Sequence, residues 1–372
     1  MKVLITGAQG FVAKNLQAHL RERQDISVFL FSRQDNLASL KNLLAEVDFV
    51  FHLAGVNRPE NTDDFRTGNT DLTKFICEEV GLLGRKTPIL YTSSSQAEFD
   101  NLYGVSKLAA EQALIELSVV QSVPVHIFRL PNVFGKWSKP NYNSAVATFC
   151  NNIAAGLPIK INQPDAAIKL VYIDDVIAQF VAVMDGLVAG DPFVSVNPVY
   201  DTTVGKLAAQ LYKFRDSRET LITETVGKGL ARALYSTYLS YIQPERFTYE
   251  VPKYEDPRGV FVEMLKTKDS GQFSYFTAHP GVTRGGHYHH SKTEKFLVIK
   301  GAACFRFRSI NSGEFYELFT SGEKPEIVET VPGWTHDITN VGEDEMIVML
   351  WANEIFDREK PDTYAMPVGT EA

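Results

Sequence analysis

No stretch of this chain approaches the roughly 20 continuous apolar residues that a membrane-spanning helix needs. The first apolar run, residues 3–5, stops at Thr6-Gly7, too soon to form the core of a secretory signal. Cysteine is scarce: Cys77, Cys150 and Cys304 are odd in number and far apart, which excludes a disulfide framework and a Cys-x2-Cys metal site. A reducing compartment, the cytoplasm, is the expected setting. Positive charge is also short, with 37 Lys and Arg against 45 Asp and Glu, a formal charge of -8 and no basic block. Nucleic acid and anionic membranes both select clustered cations, so neither is an expected partner. Repeats and low-complexity tracts are absent, and a chain 44% hydrophobic and 22% charged has the composition of a folded protein.

What is present divides in two. Single cores stop growing at about 250–300 residues, so 372 residues predict two domains. Up to about residue 240, short β-branched runs (3–5, 27–31, 49–53, 89–92, 125–129, 169–172) alternate with helical stretches (12–22, 71–80, 103–117, 174–184). This pattern predicts a doubly wound parallel sheet covered by helices. Two prolines and a glycine follow between Val251 and Gly259, and the boundary is placed near 245. Beyond it lie short strands at 260–265, 272–278, 295–299, 302–308, 315–319, 326–330 and 346–351, as in an all-β sandwich or barrel. Alternation in the fourth puts Phe305 and Phe307 on one face and Arg306 and Arg308 on the other.

The first strand runs into Gly7-x2-Gly10-x2-Ala13. Glycines there let the backbone approach a pyrophosphate, and the following helix points free N–H groups at it. The spacing resembles that of extended short-chain dehydrogenase/reductase proteins, with alanine for the last glycine. The resemblance implies that Gly7, Gln9, Gly10, Phe11 and Val12 contact a nicotinamide cofactor, together with Leu53, Ala54 and Gly55 after the third strand and Pro131 after the fifth. Asp48 matches the family's adenine-side aspartate. The second strand ends Phe31-Ser32-Arg33-Gln34; an arginine there can accept a 2'-phosphate, so NADPH is the expected cofactor.

Tyr103-Gly-Val-Ser-Lys107 puts a phenol and an ammonium on one helical face, where the positive charge is expected to pull the tyrosine pKa down. Tyr103 is then the proton donor for a carbonyl reduction, and in this family Lys107 also holds the nicotinamide ribose. The family comparison points to Ser94 as the hydroxyl that polarises the carbonyl, with Ser93 and Ser95 open alternatives. Sugar-nucleotide dehydratases carry Thr-Asp-Glu at this strand end; serine and glutamine here imply a simple reductase. Arg129-Leu-Pro-Asn132-Val-Phe-Gly135 resembles a stretch that closes over substrate in nucleotide-sugar enzymes. It implies roles for Asn132 and, in the donor-rich segment that follows, Asn143. Asp174 is expected to cap a helix.

Near the other end, Gly281-x5-His287-x-His289-x4-Glu294-x6-Gly301 matches the first cupin signature. Histidines at i and i+2 on a strand share a face, and with Glu294 and His336 they form a donor set for one divalent ion, zinc being the expected one. The second signature is only partly matched, by Pro332-Gly333-x2-His336-x3-Asn340. The segments at 256–263 and 281–287 also resemble metal-free 4-keto-6-deoxy-sugar epimerases, in which a histidine is the base. That resemblance implies that Arg258 and Arg284 bind a diphosphate, and it leaves His287 open between ligand and base.

The fold expected is therefore α/β, a Rossmann-type doubly wound parallel sheet over 1–245, followed by an all-β cupin jelly roll over 246–372. The order of the two halves, with details such as FGKWSKPNYNS and WANEIFDREKPDTY, resembles the bifunctional capsular polysaccharide enzymes of UDP-N-acetyl-L-fucosamine synthesis. The resemblance implies a UDP-sugar substrate, C3 epimerisation of a UDP-2-acetamido-2,6-dideoxy-4-hexulose by the cupin, and NADPH reduction at C4. It also implies a homo-oligomer, dimer or tetramer. A reductase whose cupin is a non-catalytic, metal-stabilised oligomerisation module is the alternative.

Overall fold

The structure is a computed structural model that describes every residue except 189, 252, 257–258, 263–264, 268–270, 355–358 and 370–372. It has two compact units, one made of residues 1–144 and 168–202, the other of 145–167 and 203–372. Among the described residues no helix is long and apolar enough to cross a membrane.

The first unit is built on β1 (Lys2–Thr6), α1 (Phe11–Leu20), β2 (Ser27–Phe31), α2 (Leu37–Glu46) and β3 (Phe49–His52). The short α3 (Asp63–Phe65) and a π-helical stretch, Arg66–Asp71, lead into α4 (Leu72–Leu83). Next come β4 (Ile89–Ser94), a 3-10 turn at Ser95–Glu98, α5 (Leu102–Gln121) and β5 (Val125–Leu130). The parallel sheet has the order β2-β1-β3-β4-β5, as expected of a doubly wound fold. Val3, Leu4, Ile5, Val50 and Phe51 are all fully buried, because helices cover both faces of the sheet. Each such side chain contributes on the order of 2 kcal/mol. The order turns about β1, so the crevice between the loops after β1 and β3 is where an open α/β sheet binds ligands. A smaller sheet joins β6 (Asn132–Phe134), β7 (Ala167–Tyr172) and β8 (Tyr200–Thr203), with α7 (Ile173–Met184) after β7. Asp174 is not the cap of α7; that position is Tyr172, and the Asp174 carboxylate accepts from Lys136 Nζ at 2.7 Å.

The second unit gathers α6 (Ala145–Ala154), α8 (Val204–Thr220), β9 (Ile222–Thr223) and α9 (Gly229–Leu239) with the β-rich segment, so the expected junction near 245 lies inside it. Packing explains the grouping. Phe214 meets Tyr235 ring to ring at 5.0 Å, Arg246 donates to the Ala154 carbonyl, and Arg218 of α8 is ion-paired with the buried Glu329 of the sandwich. After β10 (Thr248–Glu250) come β11 (Lys253–Asp256), β12 (Gly259–Val262), β13 (Lys266–Thr267) and β14 (Gln272–Ala278). The chain continues through β15 (Thr283–Tyr288), β16 (Glu294–Lys300), β17 (Ala302–Ser309) and β18 (Phe315–Ser321). It ends with β19 (Glu326–Glu329), β20 (Trp334–Asn340), β21 (Met346–Ala352) and β22 (Tyr364–Ala365). Two five-stranded sheets, β10-β19-β16-β21-β14 and β18-β17-β20-β15-β22, form a cupin-like sandwich. As the alternation predicts, Phe305 and Phe307 are buried, and Phe305 meets Phe296 of the facing sheet edge to face, while Arg306 turns away to Asp337.

Candidate functional site

Gly7 sits at φ +66°, and a Cβ there would come within 2.7 Å of the Ala54 Cα, so only glycine lets the loop after β1 lie against the loop after β3. Gly10 N–H closes the turn on the Gly7 carbonyl at 2.8 Å, and Gly10 begins α1 in extended conformation without a side-chain cap. The first N–H groups of α1, from Phe11 and Val12 on, are left for an anion. Gln9, Gly10 and Gly55 are exposed at this end, with Phe11, Val12, Leu53, Ala54 and Pro131 half-buried. Arg33 is exposed just past β2, and no bond of its side chain is found among the described residues.

Asp48 does not belong to this group. Its carboxylate accepts from Lys2 N–H at 2.8 Å, at the amino ends of β1 and β3. The cofactor loops leave the carboxyl ends, about 16 Å away at ~3.3 Å per residue, so Asp48 closes the opposite edge of the sheet.

At the end of β4 the three serines separate by role. The Ser93 hydroxyl is buried and donates to Glu111, and Ser95 opens the 3-10 turn. Ser94 is the serine that acts on the Tyr103 phenol, drawing its pKa down against burial, and its own hydroxyl accepts from Gln96 N–H at 3.1 Å. The short interval from Ser94 to Tyr103 is bridged by that turn and by Asn101, whose side chain accepts from Gly104 N–H at 2.9 Å. A Cβ on Gly104 would lie 2.2 Å from the Gln96 carbonyl oxygen, so glycine here lets α5 bring Tyr103 up to the strand.

Lys107 lies one turn on, buried, and its Nζ donates to the Thr92 carbonyl at 2.9 Å and sits over the Tyr91 ring. Burial pushes its pKa down to about 8, against the pull of Glu111. The Tyr103 phenol is not lowered as expected: burial raises it, Ser94 works the other way, and the ammonium points at Thr92. Glu111, another turn on, is held by Arg129 at 2.6 Å and so locks α5 to the ends of β4 and β5. Only its i+4 spacing from Lys107 could have marked it in the sequence. His52, also unforeseen, is fully buried between Thr6 and Thr73 at 2.8 Å each; burial holds it neutral with a pKa of about 3. Asn132 is exposed, its amide donating to the Lys169 carbonyl at 3.0 Å, and Asn143 is exposed ahead of α6.

The second unit brings its four predicted donors together. Across the β15–β20 pair, His287 stands opposite His336; His289 follows just past β15, and Glu294 opens β16 in the facing sheet. One ligand atom from each lies within 4.8 Å of all the others. Glu294 Oε2 is 3.1 Å from His289 Nε2 and 3.4 Å from His336 Nε2, and its Oε1 faces Lys292 Nζ at 3.2 Å. Burial, with the other imidazoles, holds His287 at about 3 and lowers His336, so these rings are neutral lone-pair donors. His289 Nδ1 bonds the Asp362 carbonyl, which can only accept, so Nδ1 carries a proton, and Nε2 is the nitrogen that faces the cluster, 3.1 Å from Glu294. Gly333, at φ +83°, donates its N–H to the His289 carbonyl, giving the partial second signature a structural task. Three imidazoles and one carboxylate, convergent and all but His287 buried, fit a divalent ion such as zinc.

Arg284 reaches the same face through a bulge. Glycines 285 and 286, at φ +101° and +76°, shift the register between Gly285 and His287, so Arg284 opposite Ile338 and His287 opposite His336 share one side. Its guanidinium donates to the Thr277 carbonyl at 3.2 Å and remains exposed. Arg258 lies outside the described residues.

The NAD dependent epimerase/dehydratase family matches residues 3–197, and the polysaccharide biosynthesis C-terminal domain matches residues 254–364. The chain belongs to the NAD dependent epimerase/dehydratase family. The UDP-2-acetamido-2,6-beta-L-arabino-hexul-4-ose reductase of Pseudomonas aeruginosa is 64% identical over 372 residues, covering 100% of both chains. The crystal structure of the capsular polysaccharide assembling protein CapF from Staphylococcus aureus superposes with a TM-score of 0.69 at 41% identity, over 99% of this chain and 100% of CapF. The UDP-glucuronic acid 4-epimerase of Bacillus cereus, 19% identical with a TM-score of 0.51 over 57% of this chain and 83% of its own, shares the fold. The cofactor class of the family is nicotinamide, in keeping with the glycine turn.

Proposed function

We propose that this chain is a bifunctional nucleotide-sugar enzyme. Residues 246–372 epimerise C3 of a UDP-2-acetamido-2,6-dideoxy-4-hexulose at a divalent metal centre, and residues 1–245 reduce the C4 ketone with NADPH to UDP-2-acetamido-2,6-dideoxy-L-talose. The observation that carries it is Tyr103 set by Ser94 at the end of β4 with Lys107 one turn on, in a chain 64% identical throughout to a UDP-4-keto-sugar reductase.

The bound nicotinamide supplies the hydride. Tyr103 gives a proton to the C4 oxygen, and Ser94 hydrogen-bonds that oxygen as its charge develops. The Lys107 ammonium, anchored on Thr92, fixes the tyrosine face of α5. At the other centre His287, His289, Glu294 and His336 would hold the ion, which supplies positive charge beside the ketone oxygen and makes the C3 proton acidic. Arg284, exposed on the His287 side of β15, is suited to the diphosphate.

Two isotope results test the whole reading. In heavy water without NADPH the full chain should place deuterium at C3, and with NADPH it should consume one equivalent and give a talose product deuterated at C3. Reduction with the original C3 hydrogen retained would favour the reductase with a non-catalytic cupin.

Arg33 supports NADPH over NADH. The nearby carboxylate, Asp35, is taken up by Ser32 N–H at 2.7 Å and Ser32 Oγ at 2.9 Å, leaving the arginine as the group presented at the end of β2. Arg33→Ala should weaken NADPH binding by about 10-fold or more and leave NADH within about 2-fold, since a charge-assisted hydrogen bond is worth roughly 1.5–3 kcal/mol. Titration of both cofactors reads this directly, and equal losses would remove Arg33 from the site.

A further inference from the structure

The helix α9 lies in the stretch that the sequence allots to the reductase, yet its polar groups lead to a metal-ligand candidate. Arg232 and Ser236, at i and i+4, share one helical face. Ser236 Oγ donates to the Ser291 carbonyl at 2.6 Å, and Arg232 donates to the Ser291 hydroxyl while pairing with Glu354 at 3.3 Å. Ser291 in turn donates its N–H at 2.7 Å and its hydroxyl at 3.0 Å to the Asp362 carboxylate. The same carboxylate accepts the N–H groups of His290 at 2.8 Å and Lys292 at 2.7 Å. The backbone carbonyl of Asp362 accepts from His289 Nδ1. Ser236 and Ser291 are both buried, so these bonds have little water to compete with them.

We infer that Arg232 and Ser236 of α9 are positioning residues of the metal centre, setting the His289 imidazole through Ser291 and Asp362. The inference rests on the metal reading of the four-residue cluster. The physical ground is that a ligating imidazole is aimed by whatever holds its other nitrogen, and here that acceptor is a main-chain carbonyl whose own residue is pinned by the 290–292 loop. Remove the hold of α9 on Ser291 and the loop keeps its Asp362 bonds but loses its reference to the helix. His289 Nε2 then samples positions away from Glu294.

The test uses the full chain. Arg232→Met keeps the apolar stem and drops the guanidinium, and Ser236→Ala removes one hydroxyl; the double variant should bind cobalt(II) about 10–100-fold more weakly in a chelator competition. Its cobalt absorption should shift in position and intensity as the ligand field changes, and Ser236→Ala alone should show the same change to a smaller degree. Loosening of the fold alone would lower the melting temperature of the metal-free protein and leave the cobalt spectrum unaltered, which overturns the inference. Equal affinity and spectrum in wild type and variant overturn it too. A wild-type chain that takes up no metal overturns the metal centre and this inference with it.

Discussion

Tyr103→Phe should lower the rate of C4 reduction by about 10²–10⁴-fold while leaving NADPH affinity and C3 exchange intact. The phenylalanine keeps the ring that packs against Phe65 and loses only the hydroxyl. Stopped-flow absorbance of NADPH with the 4-keto sugar measures it, and turnover near the wild-type rate would remove Tyr103 from the chemistry. The pH profile gives a second check on the neighbouring lysine. Burial lowers the Lys107 pKa to about 8, so its ammonium is complete below that value and lost above it. Reduction should therefore decline as pH rises through about 8, and Lys107→Met should be slow throughout without that inflection.

Removal of two predicted ligands together, His289→Ala/Glu294→Ala, should take the metal content from about one ion per chain to near none. Deuterium uptake at C3 should fall by at least about 100-fold, because even outer-sphere changes at such centres cost 10–100-fold. His287 and His336 alone offer two nitrogens, too few for a stable structural or catalytic site. The double variant also separates the two roles open to His287. If the variant is free of metal and exchanges at full rate, His287 acts as a lone base and the ion has no part in the chemistry.

Much of both sites was legible because the signals are local. A glycine turn between a strand and a helix, a Tyr-x3-Lys face and a His-x-His pair depend on spacing within one or two elements, and the structure assembles each of them. Asp48 was misplaced although the order of residues contains the answer: it precedes β3, and in a parallel sheet the ligand end follows the strand. Strands β15 and β20 were hidden for a different reason. Two glycines bulge the first, and in Trp334–Asn340 the apolar face of Trp334 and Ile338 is interrupted by His336, while Thr335, Asp337 and Asn340 are buried too. The direction of the Lys107 ammonium, and the path from Ser236 to His289, run between residues 15 and 53 positions apart, beyond any sequence periodicity.

The division of the chain has a consequence for its synthesis. Residues 145–167 leave the ribosome before the first unit is complete, yet their packing partners begin only at 203. The nascent chain must close its nucleotide-binding unit with residues 168–202 while an earlier apolar helix, carrying Phe149, Cys150 and Ile153, waits uncovered. A stop codon at the apparent linker near 245 would keep α8 and α9 against that helix but remove Glu329 and Ser291, the sandwich partners of Arg218, Arg232 and Ser236. Such a truncation should therefore bare the sandwich-facing side of α8 and α9.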